Sequence, residues 1–458
     1  MPVDKGSASL TKQTTKLPLP RTVVLLGWVS LLADISSEMV YPLMPIFVVV
    51  VLGSSATSLG WVEGIAAIIV ALLTAWSGWR SDLGSRRDAS GAITNVPRRL
   101  PWIRWGYGLP VLGRAILALA VAWPMVMLGR GVDRVGKGLR GSPRDALLTD
   151  AADPSQRGRA FGFHRAMDTT GATIGVLLAA GLMWWLVGST PFEKSAIVGV
   201  AESAVAASDV ATNSPNQSMA WAFRVVFGVS AVMGLGALAL TFFLREAPVP
   251  QVQGVAKAHE SEAVQKDLGT KLSKQYWIVC AIFAVFALAN SSDTFLLLRA
   301  SDVGLAPWVV VLAYALYNVT NAAIAYPAGI VSDRIGRWRV IGVGWGIYAI
   351  VYIGFAFTNE LGIWPLMALY GVYAALTDGV GKALISDYAP RNGRGKAMGI
   401  FSMINGFALL VSSVLAGLLW DRVGHDWPFL IGAGVSLVAM CMLGIGYVWI
   451  RRLGPVVT

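Results

Sequence analysis

The sequence is short of the residues that build metal centres, disulfide frameworks and most hydrolytic sites. It holds two cysteines and three histidines in 458 residues. Cys280 and Cys441 both fall within long apolar runs, which argues against a disulfide scaffold. His164, His259 and His425 are scattered with no ligand spacing, so no histidine-based metal site and no resident cofactor is expected. Charge is scarce as well. Asp, Glu, Lys and Arg make up 14% of the chain, against about 25% in soluble domains. A chain of this length cannot coat several soluble cores with so little charge.

What the chain has in excess is apolar length. Apolar residues reach 55% and the mean hydropathy is +0.61. Runs of the roughly 20 residues needed to span a bilayer recur along nearly the whole sequence. Twelve spans are expected, near 22–51, 57–80, 103–122, 124–142, 158–186, 219–244, 276–299, 306–331, 338–357, 363–386, 395–420 and 428–451. The net charge of +11 is then a matter of placement rather than of nucleic-acid binding. Lys and Arg gather in the tail and in alternate loops, as at Arg86, Arg87, Arg98 and Arg99, or Arg334, Arg337 and Arg339. That asymmetry puts both termini in the cytoplasm. Residues 1–20 lack a cleavage site and read as a cytoplasmic tail.

Residues 246–275 form a polar linker between a first bundle, 21–245, and a second, 276–452. The halves echo each other. "ADISSEMV" at 33–40 resembles "ANSSDTFL" at 289–296, "DRVGK" at 133–137 resembles "DGVGK" at 378–382, and "RGRAFG" resembles "RGKAMG", which sets Asp168 against Asn405. Such repeats characterise secondary transporters, whose substrate site lies between the halves. The expected fold is an all-α polytopic membrane protein of twelve transmembrane helices in two pseudo-symmetric six-helix bundles.

"GIVSDRIGRWR" at 329–339 carries Gly329, Asp333, Arg334, Gly336 and Arg337. It resembles the loop signature of the major facilitator superfamily, G-x-x-x-D-R-x-G-R. The matching first-half loop, "GWRSDLGSRR", keeps Gly78 and Asp82 but loses the following arginine. Arg130 resembles the arginine of the family's fourth helix. Gly171 and Gly175 resemble the glycine motif of its proton-linked exporters, with Val176 where a proline usually stands. The motifs "DISSEMVYPLMP" and "GKGLRGSPRDALLTD" resemble a bacterial subgroup of efflux permeases. The resemblance implies Asp82, Asp333, Arg334 and Arg337 as gating charges, a cavity lined by helices one, four, seven and ten, and a place in the bacterial inner (plasma) membrane.

The stretch "GRGVDRVGKGLRG" also comes close to a phosphate loop and to a dinucleotide fingerprint. Gly138 stands where the magnesium-binding hydroxyl belongs, and no strand precedes it, so the nucleotide reading fails. Its glycines are expected to be a helix-packing face. Its charges, Arg130, Asp133, Arg134 and Lys137, either line a transport cavity or form a static ion-pair lattice, with Asp133 and Lys137 four apart on one face. Asp34 and Glu38 share a face of the first helix with Ser37 beside them and no base on that helix. Paired acids of this kind suit proton exchange. Asp168, Asn290, Asp293, Asp378 and Lys382 are further cavity candidates, with Asp378 and Lys382 able to neutralise each other. A hard cation on Asp34, Glu38 and Asp293 is left open.

The expected activity is proton-coupled export of a small molecule by alternating access, with Asp34, Glu38 and Arg130 at the coupling site. No enzymatic chemistry is expected, and the partners are protons, a small-molecule substrate and the lipid bilayer, for a monomer that binds no nucleic acid. Import of an anion onto Arg130, Arg134, Lys137 and Lys382 is the alternative, and a sensor or scaffold that moves nothing is the reading from another class.

Overall fold

The computed structural model describes residues 18–82, 99–153, 156–188, 215–246, 272–390 and 394–452. The tail, the insertion at 84–100, the loop at 187–218 and the linker at 246–275 lie almost wholly outside these residues. Nine helical stretches among the described residues are long and apolar enough to cross a membrane. These are α1 (Arg21–Val51), α2 (Ala56–Gly78, continuing to Asp82), α5 (Arg159–Val187, starting at Arg157), α6 (Met219–Thr241, starting at Pro215), α7 (Lys274–Asp302), α8 (Pro307–Ile335), α9 (Arg337–Ala356, continuing to Phe357), α11 (Ala397–Arg422, starting at Arg394) and α12 (Trp427–Arg452). Three further long helices, α3 (Leu100–Ala118), α4 (Trp123–Ala151) and α10 (Ile363–Tyr388), pack among them.

Proline and glycine explain the irregularities. Pro42 and Pro45 each remove an amide donor from the ladder, and α1 passes through a tighter turn at Tyr41–Leu43 and a wider one at Phe47–Val51 before it ends. Between α8 and α9 the chain reverses at one residue, Gly336, whose φ of +97° is strained for any side chain. That explains the glycine of the Asp333–Arg337 signature. The seventh span is broken: helix Lys274–Ala289 stops, residues 290–293 unwind, and Thr294–Asp302 resumes.

Helices α1 to α6 pack mainly on each other, as do α7 to α12. The halves meet chiefly along two helix pairs, α2 with α11 and α5 with α8, and the far part of α1 adds smaller contacts with α7 and α8. The first seam is backbone-close because glycines line it. A Cβ on Gly60 would sit 2.3 Å from the Ser413 carbonyl oxygen, and one on Gly417 would sit 2.5 Å from that of Ala56. At the end of the seam away from the chain termini, Asp421 of α11 accepts hydrogen bonds from the amides of Ala56 and Thr57, at 2.9 and 2.8 Å. Ser55 caps the Ser58 amide of this helix at 3.1 Å, and Asp421 from the other half satisfies two further donors that a helix start leaves unpaired.

Candidate functional site

Between the halves lies a cavity of two lobes. The larger, about 1240 Å³, runs from Tyr41, Glu63 and Asp293 to Gly78, Ser142 and Met398 at the side where the described chain begins and ends. The smaller, about 970 Å³, is walled by Asp34, Ser37 and Glu38 of α1, by Arg140 and Arg144 of α4, by Arg165 and Asp168 of α5, and by residues 318–326 of α8. Lys137 and its neighbours Val70 and Thr74 line both.

The smaller lobe brings together the acids expected from α1. Glu38 accepts a hydrogen bond from the Tyr314 hydroxyl at 3.2 Å, a contact that crosses from one half to the other. Neither Asp34 nor Glu38 has an ion-pair partner within 4 Å among the described residues. The backbone beside them is fixed by two glycines: Cβ atoms on Gly171 and Gly175 would each fall 2.4 Å from the carbonyl oxygens of Leu31 and Ile35. Asp168 is turned toward α1 by a hydrogen bond from Ser30 and lies 3.5 Å from His164 one turn earlier. The histidine is thus part of the α5 lattice beside the lobe.

The structure redraws the charges of α4. Arg130 is expected beside Asp34 and Glu38, but it makes a forked pair with Glu63 of α2 at 3.0 and 3.1 Å and sits 5.3 Å from the Tyr41 ring centre. Asp133 does not pair with Lys137. It faces Arg114 of α3 at 3.3 Å and Arg134 at 3.8 Å. Arg114 also donates to Ser36. Buried charges are tolerated when paired and hydrogen-bonded, and Asp133 and Arg130 each take the nearest deeply placed partner from a neighbouring helix. Lys137 is left exposed to the cavity with no ion pair within 4 Å among the described residues.

The glycines interleaved with these charges do pack helices. A Cβ on Gly136 would meet Pro110 of α3 at 2.3 Å, and one on Gly138 would meet Leu73 of α2 at 2.6 Å.

The expected echo of "DRVGK" in "DGVGK" is out of register. Arg99 pairs with Asp150 at the end of α4, and Arg337 pairs with Asp387 at the end of α10, so Asp150 and Asp387 play the same part. They are 237 positions apart, as are Gly162 and Gly399, and Asp168 and Asn405. In that register Lys382 matches Asp145, and Asp378 matches Gly141. Asp378 therefore stands about two helical turns from the level of Asp133. Asp378 and Lys382 are both exposed and form no ion pair within 4 Å among the described residues. Lys382 lines the larger lobe.

Of the expected gating charges, Asp333 and Arg337 make their contacts within one half. Asp333 lies 3.5 Å from Arg337, which also donates to the Ala383 carbonyl at 3.1 Å and to Asp387. These contacts tie α8, α9 and α10 together. Arg334 is exposed, and the side chain of Asp82 lies outside the described residues. The contacts that cross the seam at the far end belong instead to Asp421, which nothing in the sequence marked.

Asn290 and Asp293 line the larger lobe, at a break in α7 that the sequence did not announce. Asp293 accepts a hydrogen bond from the Tyr370 hydroxyl at 2.6 Å. Around it stand tyrosines from three helices, with Tyr317 and Tyr370 ring centres 5.3 Å apart, Tyr370 and Tyr373 5.2 Å apart, and Tyr41 and Tyr314 5.5 Å apart. The sequence reading missed Glu63, Arg114, Asp421 and these tyrosines. The unmatched buried charge of α4 was the available signal for the first two.

A model of the Major Facilitator Superfamily matches residues 26–381 and 294–457. An uncharacterized MFS-type transporter of Methanocaldococcus jannaschii is 30% identical over 433 residues, covering 93% of this chain and 94% of that protein. Among solved structures, the D323A mutant of the nucleoside transporter NupG superposes with a TM-score of 0.69 at 13% identity, over 93% of this chain and 100% of that one. A bacterial homologue of the human lysosomal transporter Spinster, inward-facing and unoccupied, superposes with a TM-score of 0.66 at 15% identity, over 93% and 94%.

Proposed function

The chain belongs to the major facilitator superfamily of membrane transporters, and we propose that it exports a small molecule from a bacterial cell in exchange for protons. The observation that carries this reading is the smaller lobe. Asp34 and Glu38 line it with no cation within 4 Å among the described residues, and Glu38 is held by a tyrosine of the opposite half. A carboxylate so placed can gain or lose a proton, and the Tyr314 contact must change when the halves move. Residues 21–245 rock against 276–451, breaking the Asp421 cap at one end as the cavity closes at the other. Lys137 joins the proton lobe to the larger lobe, where the cargo sits. A proton crossing a potential of about 100 mV supplies about 2.3 kcal/mol, enough for roughly a fifty-fold gradient of cargo at one proton each.

The test uses purified protein in liposomes containing a pH dye, with a panel of small organic cations and anions added outside. Some member of the panel moves protons through the native chain, and Glu38→Gln abolishes that movement. Proton flux unchanged in Glu38→Gln overturns the coupling assignment. A second reading, import of an anion, is favoured by Lys137 and Lys382, which face the larger lobe from opposite halves without ion pairs among the described residues. Solute uptake without proton movement would support it.

A further inference from the structure

The larger lobe carries a cargo class of its own. At its deep end the chain of α7 is unwound between two half-helices. A helix break inside a membrane leaves carbonyl oxygens without their usual amide partners, and transporters use such breaks to hold ions and substrate groups. Here Tyr348 donates to the Ala289 carbonyl at 2.8 Å and Ser412 to that of Asn290 at 3.2 Å, so the acceptors the break presents to the lobe are side chains. Asp293 is half-buried, takes its hydrogen bond from Tyr370, and has no cation within 4 Å among the described residues. Asn290, three residues earlier, lines the same lobe, and its Oδ1 is buried with no donor.

The other charges of the lobe are accounted for differently. Glu63 is held by Arg130, and Arg134 lies beside Asp133. Lys137 borders the lobe that holds Asp34 and Glu38. Lys382 sits five residues before Asp387 on α10, about 7.5 Å along the axis from the end that bears the Arg337 pair. At the deep end, the unmatched group is an acid.

Most of the remaining wall is apolar, with Val70 and Ala71 of α2 and Met398, Phe401, Met403 and Leu409 of α11 beside Thr74, Ser402 and Asn405. Its volume of about 1240 Å³ exceeds the range of about 300–1,000 Å³ typical of sites for organic molecules, and is far beyond the needs of a bare metal ion. Of the tyrosines around Asp293, Tyr41 borders the lobe, while Tyr370 and Tyr373 lie buried behind the acid. We propose that the cargo is a protonated organic amine, its ammonium on Asp293 beside Asn290 and its hydrocarbon body along α2 and α11. This inference rests on the transport reading and names the cargo of that same cavity.

The experiment is equilibrium binding to the purified full-length chain in detergent, read by calorimetry, so that it does not depend on flux. The probes are naphthylmethylamine and its anionic counterpart naphthylacetate. The native chain binds the amine in preference to the carboxylate. Asp293→Asn weakens amine binding about tenfold or more, and Asp293→Glu largely restores it. Preference for naphthylacetate, its loss in Lys382→Ala, displacement of the amine by sodium chloride more than by the chloride of a bulky organic cation, or equal amine affinity in Asp293→Asn would each overturn the proposal. So would failure of the native chain to bind the amine. The preference between the two probes is read on the native chain, so it stands even where a variant folds poorly. Asp293-dependent binding without proton flux in liposomes would leave the amine site intact and remove the coupled-export reading.

Discussion

The two halves share a backbone plan and differ in the chemistry they bury. The first half buries ions: Arg130 on Glu63, and Asp133 between Arg114 and Arg134. The second half buries mostly rings, and its buried Arg299 pairs with Asp302 at a helix end rather than at mid-helix. Tyr348 and Tyr352 stack at 3.9 Å, Phe286 lies on Trp345 at 4.4 Å, and Tyr348, Tyr370 and Tyr373 gather around one acid, Asp293. A repeated fold therefore supplies a repeated set of helix positions and leaves their occupants free to diverge. Asp150 and Asp387 kept their part at the helix ends, whereas the mid-helix charges of α4 have no counterparts at the same level of α10.

The comparison predicts unequal costs. Removing one member of a buried ion pair leaves the other charged and unmatched, a loss of about 3–5 kcal/mol. Arg130→Gln should show that loss in thermal unfolding in detergent, and the double variant Glu63→Gln/Arg130→Gln should recover most of it. A single variant as stable as the native chain would show that the first half does not depend on its ion lattice.

A smaller effect is expected at the seam, where the halves are tied by a cap rather than by a buried pair. Loss of a helix cap costs about 0.5–2 kcal/mol, and here that energy acts on the balance between conformations. Asp421→Ala should favour separation of α2 from α11 at the far end. Spin labels at Ser55 and Val423, both exposed, in a chain lacking Cys280 and Cys441, should report a longer distance population in the variant. An unchanged distance distribution would mean that the glycine contacts at Gly60 and Gly417 hold the seam by themselves.

Much of this molecule is legible in its sequence because membrane spans declare themselves by length and hydropathy. The Asp333–Arg337 signature, the glycine face of α4 and the acids of α1 were readable for the same reason: each is a local pattern along one helix. The partners were not. Arg130 and Glu63 are 67 positions apart, and Asp421 and Thr57 are 364 apart, so only the packing of helices joins them. The "DRVGK" echo misled because five matching letters carry no level within the bilayer, whereas the Arg99–Asp150 and Arg337–Asp387 pairs do. The tyrosines around Asp293 gave no signal, since aromatic residues scattered over three apolar helices look like ordinary core.

Tyr370→Phe is the finest test of the contrast. The substitution keeps the ring, so the packing against Tyr317 and Tyr373 survives, and it removes the hydroxyl that donates to Asp293 at 2.6 Å. A hydrogen bond to a charged acceptor contributes about 1.5–3 kcal/mol, and Asp293 keeps access to the cavity, where water or cargo can replace the donor. The stability cost should therefore be about 1.5 kcal/mol or less, smaller than that of Arg130→Gln. Amine binding should hold or tighten, because the carboxylate no longer shares its lone pairs with the tyrosine. If Tyr370→Phe instead destabilises the chain as much as Arg130→Gln does, then Asp293 depends on that hydroxyl as Arg130 depends on Glu63. The second half would then be a polar lattice like the first, with rings as its carriers, and its acid would be a structural group unavailable to cargo.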